Sequence, residues 1–278
     1  MDDADVEALA ARNPAAAAAL EYSHVALAEQ LDLGLRKLEL DVFWDPRTGS
    51  FPVGHVQAID MNSLCSPLAD CLAQIVAWSD DNPTHAPVWI SFNAKDQQIE
   101  GLPDPAPFTA DAFAALDVAV TAALKDRLIT PASVKRGPGV PVWPSLREAR
   151  GQFLLILDEG GDKRAAYAAR WRERPMFVNV PPEHAAAAIM VVNDPLRDSR
   201  RIRQLVQAGY MVRTRADADT REARSNDVTR RDAAFASGAQ AVSTDYYRPA
   251  AHFGTDYEVA PRLSCNPVNA PADCSVTD

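Results

Sequence analysis

The chain has 278 residues, a hydrophobic content of 47% and a formal net charge of -10 at pH 7. This length is typical of one (β/α)8 barrel, and it could also hold two smaller domains. The excess of acidic residues argues against nucleic-acid binding, and no apolar run is long enough to predict a transmembrane helix.

The first twenty residues are acidic and rich in alanine, without the basic start and leucine-rich core of a signal peptide. We expect residues 1–20 to form a helical extension that is interrupted at Asn13 and Pro14.

The segment 35–42 (LRKLELDV) predicts the first strand of the domain. Glu39 and Asp41 should lie on one face of it, because alternate residues of a strand point the same way. Two convergent carboxylates repel each other unless a cation or a shared proton compensates them, which indicates a site. The alternative is a solvated strand end, or ion pairs with Arg36 and Lys37.

Later apolar runs alternate with helical patterns and carry polar residues at their ends, as in a parallel α/β barrel. The predicted strands are 51–56 (ending near His55), 87–96 (with Asn93 and Lys95), 153–159 (ending with Asp158 and Glu159), 176–180, 188–194, 210–219 (with Arg213 and Arg215) and 241–246. The predicted helices are 67–80, 109–124, 163–173, 197–207 and 220–236, with a long loop from 124 to 144. We therefore predict one α/β domain over residues 1–278, a TIM-barrel (β/α)8-like fold.

Four cysteines form two close pairs, Cys65 with Cys71 and Cys265 with Cys274. Neither pair has the spacing of a zinc knuckle, so two local disulfides are a better interpretation than a metal site or four separate thiols. The second bridge would lie in a C-terminal tail, 250–278. Disulfides imply an oxidising compartment. Because this sequence shows no export signal, we expect that it starts downstream of one.

Longer strings carry a resemblance that these patterns do not provide. From about residue 21 to residue 274, the chain resembles the bacterial calcium-dependent phosphoinositide-specific phospholipase C family. The members of this family are TIM-barrel phosphodiesterases. The strings are EYSHVALAEQLDLGLRKLELDVFWDP, VGHVQAIDMNSLCSPLADCL, RLITPASV, WPSLREARGQFLLILDEG, VVNDP and RTRADADTREARSNDVTRRDAAFASGAQAVSTDYY.

The resemblance implies a calcium-dependent enzyme that cleaves phosphatidylinositol-type lipids to diacylglycerol and a cyclic inositol phosphate. It implies peripheral contact with a membrane surface and a secreted or periplasmic location. The implied site consists of metal ligands (Glu39, Asp41 and Asn93), catalytic residues (His55, Glu39 and Lys95) and substrate-binding residues (Lys95, Arg213 and Arg215).

Two departures from the family pattern bear on activity. An H-N-S-Y element that the family carries upstream, at its first barrel strand, has no counterpart here, so we expect a barrel that is incomplete at that strand. Asn93 stands where the family has glutamate, which removes one negative charge and should weaken calcium binding. The alternatives are a glycerophosphodiester-type phosphodiesterase and a non-catalytic relative that binds lipid or inositol phosphate; the oligomeric state stays open.

Overall fold

The computed structural model describes residues 9–11, 13–135 and 139–276. The chain divides into two compact units, one of residues 26–189 and one of residues 1–25 with 190–278. The helices are α1 (Pro14–Ala19), α2 (Leu27–Asp32), α3 (Leu68–Asp81), α4 (Ala110–Leu124), α5 (Pro131–Val134), α6 (Gly161–Ala168), α7 (Pro195–Gln207), α8 (Arg221–Ser225) and α9 (Thr229–Ser237). The strands are β1 (Lys37–Val42), β2 (Val88–Ala94), β3 (Leu128–Ile129), β4 (Phe153–Leu157), β5 (Met176–Val178), β6 (Ile189–Val191), β7 (Met211–Arg215) and β8 (Ala241–Ser243).

The unit 26–189 is built on a parallel sheet in the order β1-β2-β4. Strand β3 pairs with the first residues of β4, and β5 pairs with its last residues. All five residues of β4 are buried, as are the first five of β2, since strands covered on both faces need apolar side chains throughout. In β1 the buried residues alternate with Lys37, Glu39 and Asp41, so one face is apolar and the other carries charges.

From Met190 onward, the strands of the sheet β6-β7-β8 belong to the second unit, and β7 and β8 are parallel. Helices α7 and α9 pack against each other and against β7. Arg213 of β7 lies opposite Ala241 of β8, and Arg215 lies opposite Ser243.

The α/β class with parallel strands is confirmed, but three predicted segments differ. Residues 51–56 do not form a strand: they run back along the end of β1 through isolated antiparallel bridges, and Pro52 lacks the N–H that a regular ladder would use. The predicted loop 124–144 contains β3 and α5, whose Thr130 cap was missed. The helix predicted over 220–236 is broken at Asn226, which has a left-handed φ of 53°.

Within the predicted extension the structure has α1, which begins at Pro14, while residues 1–8 and 12 lie outside the described residues. The extension over residues 1–20 stays a prediction. Both predicted disulfides are formed, Cys65 with Cys71 and Cys265 with Cys274. Within the described ranges, no helix combines the length and the apolar character needed to span a bilayer. The prediction of one domain stays a prediction.

Candidate functional site

Glu39, Asp41 and Asn93 meet at the carboxyl ends of β1 and β2. Asp41 lies directly opposite Asn93 in the parallel ladder, and Glu39 is two residues earlier on the same face of β1. The Asn93 side-chain amide donates to both carboxylates, at 3.0 Å to Glu39 Oε1 and 2.8 Å to Asp41 Oδ1. The period of the strand and its parallel pairing thus produce the convergence that the sequence predicts.

Two lysines accompany these carboxylates. Lys37 forms an ion pair with Glu39, which confirms the alternative partner considered from the sequence, and Lys95 Nζ lies 2.9 Å from Asp41 Oδ2. The Lys95 side chain is 27% exposed and that of Asp41 is 18% exposed, so this pair is partly shielded from solvent. Two negative and two positive side chains therefore meet at this edge of the sheet.

His55 lies beside this group on the segment that returns along β1. Its Nε2 is 3.9 Å from Asp41 Oδ2, and its Nδ1 is 3.6 Å from Asp60 Oδ2. A Cβ on Gly54 would lie 2.6 Å from the sulfur of Met61, so glycine permits the close turn that presents the histidine. Interaction with the His55 imidazole lowers the pKa of the Asp60 carboxyl. The imidazole is thus flanked by a carboxylate on each side.

A second charged group holds the end of β2 in place. Lys163 donates to the carbonyl oxygen of Ala94 at 2.6 Å and lies 2.8 Å from both Asp96 and Glu159. Glu159 in turn accepts a 2.6 Å hydrogen bond from the Ala94 N–H. Burial alone would lower the pKa of Lys163, but its bonds to Asp96 and Glu159 outweigh burial and raise that pKa. This network fixes the backbone between Asn93 and Lys95.

The side-chain oxygens of Glu39, Asp41 and Asn93 are the kind of ligand that a hard cation prefers. Calcium prefers six to eight oxygen ligands, and Glu39 and Asp41 provide carboxylate oxygens to which Asn93 can add an amide oxygen. In the arrangement seen, Asn93 turns its NH2 group toward the carboxylates, so its oxygen would face a cation only after the amide rotates. Among the described residues, no group of three or more His, Cys, Asp or Glu side chains could hold a metal ion. Glu39, Asp41 and Asn93 offer two carboxylates and one amide, so they fit calcium in the chemistry of their oxygens, as a site of low charge.

The two arginines predicted to bind substrate belong to the other unit. Arg213 is buried, and it donates to Ser243 Oγ at 2.7 Å and to Asn193 Oδ1 at 2.6 Å. Arg215 ends β7 and is half-buried. Their role in binding stays a prediction.

Asp217 follows β7 in this second unit and is buried. Its carboxylate accepts hydrogen bonds from the Thr244 hydroxyl, the Asp245 N–H and the Tyr257 hydroxyl. Burial, reinforced by the nearby Asp245 carboxylate, raises the pKa of Asp217 to about 6. A cleft of about 230 Å3 lies in the same unit, where His24 stacks on Tyr247 and has its Nε2 3.7 Å from Asp245.

Sequence reasoning missed the partners that come from outside the strands. Asp60 was overlooked although it follows His55 by five residues, because nothing in the pattern shows that the loop closes on itself. Lys163 and Asp96 were not singled out either, because their contact with the end of β2 joins segments 67 residues apart. The charged strand end at Glu159 was the one available signal.

Comparison with known families identifies one match that spans most of the chain. The model of the family described as phosphoinositide phospholipase C, Ca2+-dependent, matches residues 1–54 and 50–267. No curated protein matches the sequence.

Solved structures share the fold. The chain is similar to a Ca2+-dependent phosphatidylinositol-specific phospholipase C from Streptomyces antibioticus, with a TM-score of 0.61, 18% identity, and coverage of 85% of this chain and 92% of that one. It is also similar to a calcium-dependent phosphoinositol-specific phospholipase C from a Pseudomonas species, whose structure is described as an apo form and myoinositol complex. There the TM-score is 0.51, the identity 19%, and the coverage 67% of this chain and 75% of that one. These likenesses support the predicted TIM-barrel-like fold class.

Proposed function

The chain belongs to the calcium-dependent phosphoinositide phospholipase C family, and on that premise we propose that it cleaves the phosphodiester bond of phosphatidylinositol-type lipids. The products would be diacylglycerol and a cyclic inositol phosphate. The observation that carries the proposal is the placement of His55 beside Asp41 and Lys95, with Nε2 3.9 Å from the carboxylate that Lys95 contacts at 2.9 Å. An acid–base group and a phosphate-binding cation thus lie at one strand edge, as phosphodiester cleavage requires.

The reaction needs one proton removed and one proton supplied. The inositol 2-hydroxyl oxygen attacks phosphorus and releases its proton to water, while the bond from phosphorus to the diacylglycerol oxygen breaks and that oxygen takes a proton from His55, which regains one from water. We assign His55 to the proton of the leaving oxygen. The Asp60 carboxylate, 3.6 Å from Nδ1, orients the imidazole ring so that Nε2 faces Asp41. Proton transfer by a positioned histidine typically contributes about 10²- to 10⁴-fold in rate.

The residues at the carboxyl ends of β1 and β2 also have to stabilise negative charge on the non-bridging phosphate oxygens. Glu39, Asp41 and Asn93 are the residues that would hold calcium, and a bound calcium ion would supply electrostatic stabilisation of those oxygens. Lys95 presents its ammonium at the same edge and would bind a phosphate oxygen. Arg213 and Arg215 stay proposed substrate-binding residues, a role taken from the family resemblance.

The disulfides and the proposed substrate indicate the cellular location of the protein. Two disulfides fit an oxidising compartment, so we assign the protein to the extracellular space or the periplasm. Its substrate lies in a bilayer, so the enzyme would contact a membrane surface peripherally. The net charge of -10 disfavours nucleic acid as a partner.

The substitution of a carboxylate by Asn93 favours one competing function, a non-catalytic relative that binds inositol phosphates. Phosphorus NMR of phosphatidylinositol vesicles incubated with the protein and calcium distinguishes the cases. A five-membered cyclic phosphate signal is expected. Hydrolysis of glycerophosphoinositol without a cyclic product would indicate a glycerophosphodiester-type enzyme, and vesicle binding without any product would indicate the non-catalytic relative.

A further inference from the structure

We infer that Lys37 and Lys95 are built-in counter-ions of the carboxylate pair, and that calcium binds by exchange with their ammonium groups. This inference rests on the proposed function, because it concerns the residues assigned to calcium there. It predicts that the lysines hold the site together without metal and compete with the metal when it enters.

The contacts of the two carboxylates carry the inference. Lys37 pairs with Glu39, and Lys95 Nζ lies 2.9 Å from Asp41 Oδ2. The Asn93 amide donates to the remaining oxygen of each carboxylate, Oε1 of Glu39 and Oδ1 of Asp41. Every carboxylate oxygen that would ligate a cation therefore already accepts from a nitrogen donor of the protein. A calcium ion has to replace these donors rather than add to them.

The charges lead to the same conclusion. Glu39 and Asp41 carry two negative charges, and Lys37 and Lys95 carry two positive ones, so this set is neutral without metal. A divalent ion added to the neutral set would face two ammonium groups in a place that is partly shielded from water, where repulsion between like charges is strong. With a glutamate in place of Asn93 the set would keep one net negative charge, which favours a cation. The asparagine and the two lysines thus act in the same direction.

The exchange can be confined to the lysine side chains. The Lys95 N–H donates to the carbonyl oxygen of Val42 at 2.8 Å, and both backbone groups of Ala94 are held by Glu159 and Lys163. The strand end therefore stays fixed while the flexible four-carbon stem of Lys95 swings its ammonium away from Asp41. Once displaced, this ammonium is available to a phosphate oxygen of the substrate.

Calorimetric titration with calcium chloride tests the exchange on the wild type, Lys37→Met and Lys95→Met, with Lys125→Met as the matched control because Lys125 is exposed at the end of α4. Removal of either competing cation should tighten calcium binding at least about tenfold, whereas the control should bind as the wild type does. In the chelated state, the same two variants should melt at a lower temperature than the wild type.

Asn93→Glu serves as the positive reference, since it adds a carboxylate and should also bind calcium more tightly. Calcium affinity that is unchanged or weaker in both Lys37→Met and Lys95→Met would overturn the inference, as would absence of binding in every variant including Asn93→Glu. Tighter calcium binding by the lysine variants, together with no release of inositol phosphate from vesicles by the wild type, would leave the exchange standing and reject the phospholipase.

Discussion

The carboxylate of Glu159 accepts a 2.6 Å hydrogen bond from the backbone N–H of Ala94. Ala94 lies between Asn93 and Lys95, so a residue that follows β4 holds the part of β2 that supplies two members of the site. Lys163 completes the link, because it contacts the carbonyl oxygen of Ala94 and the Glu159 carboxylate. The position of Lys95 thus depends on groups that do not touch the substrate.

Glu159→Ala should lower the rate of lipid cleavage because the end of β2 loses its anchor. Small misplacements of catalytic groups are costly, so we expect a loss of about 10- to 100-fold in kcat. The variant also leaves Ala94 N–H without this acceptor, which should cost about 1–3 kcal/mol in the free energy of unfolding. Initial rates and urea unfolding measure the two effects.

Glu100→Ala is the control for this change, since Glu100 is exposed. Wild-type kinetics in Glu159→Ala would show that the end of β2 keeps its position without the network.

His55→Ala should reduce the rate of cleavage by about 10²- to 10⁴-fold, because it removes the group assigned to the leaving-group proton. Asp60→Asn should have a smaller effect, since it changes only the orientation of the ring. Rates at saturating lipid, with circular dichroism to verify folding, provide the measurement. His184→Ala changes an exposed loop histidine and should keep full activity. Activity retained by His55→Ala would remove this residue from the mechanism.

The pKa of Asp217 predicts a specific dependence of stability on pH. Its value of about 6 in the folded protein lies above the ordinary aspartate value of 3.8, so the folded state binds this proton more tightly than the unfolded state. The resulting stabilisation is complete below about pH 4 and is lost as the pH rises through 6. By pH 7 the loss reaches about 3 kcal/mol.

Asp217→Asn removes this titration, so the difference in unfolding free energy between wild type and variant should change by about 3 kcal/mol from pH 4 to pH 7. Urea unfolding at a series of pH values measures that difference. Asp104→Asn, at an exposed loop position, should give a constant difference from the wild type. A constant difference for Asp217→Asn as well would show that its carboxyl titrates normally.

The disulfide between Cys65 and Cys71 closes a short loop, with a sequence separation of 6, directly before and into α3. Constraining so short a loop in the unfolded chain is worth about 2 kcal/mol. The double variant Cys65→Ala with Cys71→Ala should therefore unfold at a lower urea concentration. Reduction of the wild type should lower the midpoint in the same direction. Identical midpoints with and without reductant would contradict a stabilising role.

The sequence was sufficient where a local rule determines the geometry. The two-residue period of a strand predicts that Glu39 and Asp41 share a face, and a parallel neighbour predicts that Asn93 joins them. The rule failed for residues 51–56, where alternating apolar residues suggested a strand, but Pro52 has no N–H for a regular ladder and only isolated bridges form. Nearly unbroken apolar runs predicted the core strands β2 and β4, because burial on both faces selects for such runs.

The remaining features depend on contacts between distant segments. Lys163 is 67 residues from Asp96, and no local pattern predicts that they meet. The two-residue strand β3 is too short to leave a periodic signal, and its pairing with β4 decides its conformation. The direction in which Lys95 points is likewise a tertiary property, since either a substrate phosphate or Asp41 could attract the same ammonium.

The most direct test of the proposed phospholipase activity is release of water-soluble inositol phosphate from phosphatidylinositol vesicles, measured with calcium and with a chelator, for the wild type and His55→Ala. Release by the wild type should fall when the chelator is added, and release by His55→Ala should be lower by about 10²-fold or more. No release by a correctly folded wild type at saturating calcium, or equal release by both proteins, would contradict it.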